Sequence, residues 1–279
     1  MRALKGHGTG NDFIIVPTGP DFSPAEVALL CDRQLGIGAD GLIRIVPTAE
    51  ADDAFVRGQA DDANWFMDYR NADGSVAEMC GNGVRVFVHA LIREGLADVG
   101  SFTVATRGGV RQVTIDEVGG AVSVQMGVGE PLLPSSITIA EGATFPAAGM
   151  LFPNPHAVVF VDDLDDAGDL LDVPSWQPTE RYPNGANIEF VRMVGPRHIE
   201  LRVHERGVGE TMSCGTGICA AVAVARDAEQ DFGANTWTVD VPGGRVTVHV
   251  DESGEATLRG PAVIVAELDI DEAWLRREA

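Results

Sequence analysis

Two stretches of the chain put a cysteine directly before a glycine turn: "EMCGNGVR" at Glu78–Arg85 and "SCGTGICA" at Ser213–Ala220. Each opens a C-G-x-G and runs into an apolar segment of helical length. A thiol at the start of a helix lies where unpaired backbone N–H groups and the positive end of the helix dipole converge. Free cysteine titrates near ~8.5, and such a position lowers that to roughly 3.5–7.5. Each unit is worth about 1.4 kcal/mol in favour of the thiolate. The glycines admit a close ligand, and amides arranged in this way prefer a carboxylate or phosphate. Cys80 and Cys214 therefore each pair an activatable thiol with an anion cradle. Cys31, inside "ALLCDRQ", and Cys219, on the second apolar run, fit the commoner role of a small buried hydrophobe.

Two chemistries suit such a pair. One is redox, with a disulfide made and broken. The other is acid–base: one thiolate removes a proton from carbon while the opposite thiol returns one to the other face, inverting a stereocentre without a cofactor. The acid–base reading gives the anion cradles work, holding an α-carboxylate and stabilising charge as the α-proton leaves. A redox switch or binding protein on the same scaffold is the rival, marked by a functional disulfide between Cys80 and Cys214.

The rest of the composition narrows the field. Twenty basic against 42 acidic side chains give a net charge of −22, which disfavours nucleic acid and anionic membrane as partners. Lys5 is the only lysine, so Schiff-base chemistry, pyridoxal phosphate included, would depend on that one residue. No C-x-x-C and no histidine pair at ligand spacing occurs, so no metal site is expected. The N-terminal "MRALKGHGTGNDF" has no continuous apolar core, and no run approaches the ~20 residues that span a bilayer. With four cysteines, this predicts a cytoplasmic protein carrying thiols.

Around the cysteines the elements fall into order. "NDFIIVP" predicts a strand, and "SPAEVALLCDRQLGIG" a helix capped by Ser23, begun by Pro24 and stopped at Gly36. "GIGADG" matches G-x-G-x-x-G but follows a helix and precedes the strand "LIRIV", the reverse of a dinucleotide-binding turn, so no nicotinamide or flavin site is read there. "ANWFMDYRN" predicts a strand, "VRVFVHALIREGLA" a buried helix stopped at Gly95, and "SFTVATRGGVRQVTID" with "AVSVQMGVGEP" hairpin strands. The second half repeats the plan: strands at "HAVVFVDDL", "NIEFVRMV" and "HIELRVHERG", then the buried helix "ICAAVAVARDAEQ". A meander over "TWTVDVPGGRVTVHVDESGEATLRGPAVIVAEL" closes the chain. Each half is strands, a C-G-x-G turn, one buried helix, and more strands.

Over nearly its whole length the chain resembles the diaminopimelate epimerases, which work without pyridoxal phosphate. The likeness rests on "KGHGTGNDF" at Lys5–Phe13, "GIGADGLI" at Gly36–Ile43, "NADGSVAEMCGNGVR" at Asn71–Arg85, "NPH" at Asn154–His156, "PNGANIEF" at Pro183–Phe190 and "ERGVGETMSCGTG" at Glu205–Gly217. It implies a mixed α/β (α+β) fold of two pseudo-symmetric domains, each with strands curled around a central buried helix, and an active site in the cleft between them. Residues 1–124 would form the first domain, with 267–279 returning to it, and 125–266 the second. It further implies Cys80 and Cys214 as the acid–base pair. Asn11 and the amides of Gly81, Asn82, Gly215 and Thr216 would hold the reacting amino-acid end. Asn71, Asn154, Asn187, Glu205 and Arg206 would grip the substrate, Arg206 pairing with the distal carboxylate and Glu205 taking an ammonium. His156, with Glu205, would tune the thiols. The implied reaction takes LL-2,6-diaminopimelate to its meso form, in lysine and peptidoglycan-precursor biosynthesis, with no cofactor and in a homodimer.

Taken singly, these residues have plainer explanations: an asparagine in a turn such as Asn71, a structural histidine at His156, a solvated pair at Glu205 and Arg206. Three departures from many relatives stand out: Pro153 in place of glycine before "NPH", His204 in place of an aromatic before "ERG", and Gly41 where some carry a substrate-contacting glutamine. His204 would bring another titratable group near the site. The nearest rival activity is a two-cysteine racemase of proline or hydroxyproline type. Those enzymes typically carry histidine after the first Cys-Gly, where this chain has Asn82.

Overall fold

A computed structural model of the protein describes residues 1–278. The chain divides into two compact units, one of residues 1–124 and 260 onward, the other Gln125–Arg259. The return to the first unit begins at Gly260, ahead of the Glu267 expected from sequence.

In the first unit β1 (Arg2–Gly8) and β2 (Asn11–Val16) form a hairpin, followed by α1 (Pro24–Cys31), β3 (Gly41–Pro47), a single turn α2 (Ala54–Arg57) and β4 (Trp65–Asn71). Then come α3 (Gly81–Arg93), the antiparallel β5 (Gly100–Val104) and β6 (Arg111–Ile115), and β7 (Val122–Val128), along which the chain passes to the second unit. The Ser23 hydroxyl accepts the Glu26 amide and the Ser23 amide donates in return to the Glu26 carboxylate, a full capping box. The helix stops at Cys31 rather than Gly36. The Asp32 carboxylate captures the amides of Gln34 and Leu35 at 2.8 and 2.6 Å, offering the backbone a turn in place of another helical residue. α3 is buried along most of its length and packs on β1, β2, β3 and β4. Burying each of Phe87, Leu91 and Val88 completely is worth roughly 1.5–3 kcal/mol. Gly95 at φ +69° follows its last turn.

The second unit contains β8 (Glu130–Thr138), β9 (Thr144–Phe152), β10 (Asn154–Phe160), β11 (Ser175–Gln177), β12 (Asn187–Gly195), β13 (His198–Glu205) and β14 (Gly209–Thr211). α4 (Gly215–Glu229) is followed by the meander β15 (Asn235–Val241), β16 (Gly244–Val250) and β17 (Glu255–Gly260). Its strand order is β11-β8-β9-β10-β12-β13-β15-β16-β17, with β14 on β13; β10/β12 and β13/β15 are parallel. α4 packs on β9, β10, β12, β13 and β16. Beyond Gly260, β18 (Val263–Asp269) does not extend the meander. It pairs antiparallel with β1, completing the first unit's sheet β18-β1-β2-β3-β4, and α5 (Glu272–Glu278) follows. Among the described residues no helix is long and apolar enough to cross a membrane.

Candidate active site

Each unit presents one cysteine at the N-cap of its buried helix. In the first unit Cys80, in extended conformation (φ −139°, ψ 117°), accepts the Gly83 amide on its sulfur at 3.4 Å. Its thiol lies 3.5 Å from Asn11 Oδ1, which also accepts from Asn82 Nδ2 at 3.3 Å. Thr9 and Gly10, at φ +49° and +80°, make the sharp turn that brings Asn11 to this place. The orientation of the Asn11 amide has a definite cause. Its Nδ2 donates to Asp40 Oδ2 at 2.8 Å, and a carboxylate only accepts, so the carbonyl end must face Cys80 and Asn82. Asp40 is held in turn by the Asp12 amide at 3.0 Å and by Arg33 at 2.8 Å. Burial opposes the charge of Asp12, but hydrogen bonds from Arg33 and Lys5 hold it at about 2. The lone lysine is therefore engaged with Asp12 and the Gly38 carbonyl.

Arg85, wholly buried on α3, ties this end of the helix to the hairpin: its guanidinium donates to the Gly81 carbonyl, to Thr9 Oγ1 and to the Pro261 carbonyl. Asn71 closes its own turn on Ser75, through Nδ2 to Oγ at 3.0 Å and through backbone pairing. The glycine at 41 has a steric reason. A Cβ there would sit 2.5 Å from the Arg70 carbonyl and 2.6 Å from the Tyr69 ring, so a larger side chain requires a shifted strand.

In the second unit Cys214 is buried, and the Gly217 amide faces its sulfur without completing a capping bond. Asn187 Nδ2 donates to it at 3.5 Å, and Thr216 Oγ1 lies 3.4 Å away. The Arg206 amide donates to Asn187 Oδ1 at 2.9 Å, which turns the NH2 end of that side chain toward the thiol. Burial, then the Glu205 and Glu189 carboxylates, push the Cys214 thiol well above its ordinary value; Thr216 and the Gly217 amide offset part of this. Glu205 accepts the Thr211 hydroxyl at 2.5 Å, while the exposed Arg206 lies over the Asn184 carbonyl at 3.4 Å.

Behind Cys214 lies a buried polar pair. His156 Nδ1 meets Glu189 Oε1 at 2.7 Å, and its Nε2 lies 3.2 Å from Asn154 Oδ1. Asn154, His156, Asn187, Glu205 and Cys214 thus converge in one unit, as Asn11, Asn82 and Cys80 do in the other. His204 does not join them. Alternation along β13 turns it to the face opposite Glu205, where its Nδ1 bonds the Leu170 carbonyl at 2.7 Å in the core. Pro153 occupies the bend between β9 and β10. Asp40, Arg85 and Glu189 are absent from the residues the sequence singles out. All three lie inside the quoted motifs, which is the one signal that pointed to them, Glu189 two residues after Asn187.

The diaminopimelate epimerase family model matches residues 3–131 and 151–265. The chain is 53% identical to a diaminopimelate epimerase of Streptomyces coelicolor, over 98% of its own length and 96% of the relative's. It is 48% identical to that of Thermobifida fusca, over 99% and 100%. The chain belongs to the diaminopimelate epimerase family. It is accordingly an isomerase, an epimerase. In three dimensions it is similar to a probable proline racemase from Agrobacterium radiobacter (TM-score 0.72, 15% identity, 97% of this chain and 93% of that one). A PhzF-family phenazine biosynthesis protein of Bacillus anthracis is comparably similar (TM-score 0.70, 18% identity, 97% and 99%). At such identity these likenesses speak for the mixed α/β fold alone. The family match spans every residue named above as a site candidate and skips 132–150, which covers most of β8 and β9.

Proposed function

We propose that the protein interconverts LL-2,6-diaminopimelate and meso-diaminopimelate, with Cys80 and Cys214 as the two acid–base groups. The observation that carries this reading is the repetition of one device in both units: an N-cap thiol, a glycine turn, and an asparagine side chain within 3.5 Å of the sulfur. One thiolate takes the α-proton to become a thiol. The electron pair left on carbon is stabilised by amides gathered on the α-carboxylate, and the second thiol delivers its proton to the opposite face. Asn11, Gly81, Asn82, Gly215 and Thr216 would hold the reacting end. Asn71, Asn154, Asn187, Glu205 and Arg206 would hold the far end, Arg206 taking the distal carboxylate and Glu205 the ammonium, with His156 adjusting proton balance. No cofactor enters the chemistry.

Incubation of the protein with LL-diaminopimelate in deuterated water, without additives, tests it. Solvent deuterium should enter at the α-carbon and meso product accumulate. Exchange with proline or hydroxyproline but not with diaminopimelate would replace this substrate by the racemase alternative. A catalytically inert protein with a reversible Cys80–Cys214 disulfide would favour the redox alternative.

A further inference from the structure

The first turn of α4 is built over a carboxylate. Glu189, on β12, is wholly buried, and a Cβ added to Gly217 would lie 2.5 Å from its Oε1, so that only glycine leaves this oxygen room under the helix N-terminus. Oε1 accepts from His156 Nδ1 at 2.7 Å, while Oε2 is buried with no hydrogen-bond partner among the described residues. A helix N-terminus favours one nearby negative charge. At α4 that place is already filled by Glu189, and a second anion on Cys214 would stand against it. The groups facing Cys214 are Glu205 from β13, Glu189 and the Asn187 amide from β12, and Thr216 from α4 itself, with His156 of β10 behind Glu189.

We propose that Glu189 is a positioning residue that keeps Cys214 protonated in the resting enzyme, so that the resting form is the one poised for the direction of reaction in which Cys214 donates the proton. On giving its S–H proton to the carbanion Cys214 becomes the thiolate, while the other cysteine holds the proton it abstracted. Solvent then resets the pair by exchanging one proton at each sulfur. The catalytic consequence rests on the two-thiol reading above, but the protonation state of Cys214 is measurable without any substrate.

The test is the pH dependence of iodoacetamide labelling at each cysteine of the full chain, read by peptide mass spectrometry. In the unmodified protein the Cys214 midpoint should lie above that of Cys80. Glu189→Gln should lower the Cys214 midpoint by about one pH unit, roughly tenfold more labelling at a fixed pH below it, and leave Cys80 unmoved. Glu189→Asp should restore the high midpoint. A Cys214 midpoint at or below that of Cys80 in the unmodified protein overturns the proposal even if Glu189→Gln does not fold. An unchanged Cys214 midpoint in folded Glu189→Gln overturns it as well. Failure of deuterium exchange with normal labelling shifts would remove the proposed reaction and leave this assignment standing.

Discussion

At the start of α3 a Cβ on Gly83 would touch Ile43 Cδ1 and Cys80 Cβ, each at 3.4 Å; at the start of α4 a Cβ on Gly217 would collide with Glu189 Oε1 at 2.5 Å. The two helices share a C-G-x-G beginning and stand on opposite ground, one apolar and one anionic. The sulfur of Cys80 completes a capping bond with the Gly83 amide and is half-buried, whereas that of Cys214 completes none and is buried. The asparagines beside them are also reversed: Asn11 offers its carbonyl to Cys80, Asn187 its NH2 to Cys214. A motif that places a thiol at a helix start thus leaves its proton affinity to whatever packs beneath and beside it.

The severest test of this comparison is removal of either thiol. Cys80→Ala and Cys214→Ala should each lower α-proton exchange by at least roughly 10²–10⁴-fold while far-UV circular dichroism stays unchanged. Full activity in either variant would end the two-thiol mechanism. The ground beneath the helices is probed by Gly217→Ala, which should destabilise by about 1–3 kcal/mol in chemical denaturation. Gly83→Ala meets only ordinary contacts and should change stability by less than ~1 kcal/mol; equal effects would remove the distinction.

The reversed amides are tested by Asp40→Asn. The new NH2 no longer dictates the Asn11 orientation, so Cys80 can lose its carbonyl acceptor. Cys80 labelling at neutral pH should then rise roughly three- to tenfold, about the worth of one hydrogen bond, with Cys214 unaffected.

Acid should reveal a further difference, through Asp12. Its folded value of about 2 lies below its ordinary 3.8, so its contribution to stability is complete above 3.8 and is lost as pH falls through 2. Asp12→Asn should flatten that part of the acid-unfolding curve. The smallest effect belongs to Cys31, pushed up to about 12 by burial, which should stay unlabelled in the folded protein at the pH where Cys80 reacts.

Much of the candidate site is legible in the sequence because its signals are local. Ser23 and Glu26 announce α1, and each C-G-x-G announces a cysteine cap. β8 and β9 are not legible: Pro131, Pro134 and Pro146 each withhold a backbone donor and argue against strands, and the β8/β9 register slips between Leu132 and Ser135. The alternating pattern of β18 announces a strand but not its partner, so its pairing with β1 rather than the meander emerges only on folding. His204 carries a titratable ring next to Glu205 in sequence, and strand alternation takes that ring to the other face.

By itself, then, the sequence determined that two cysteines begin two buried helices, since a glycine turn and the apolar run after it act within a few residues. Only the tertiary structure decided what each cysteine rests on. Ile43 and Phe13 reach Gly83, and Glu189, held by His156, reaches the start of α4, from strands apart from those helices in the chain. Burial and charge act through space, so the proton affinity of a thiol is set by neighbours that folding supplies.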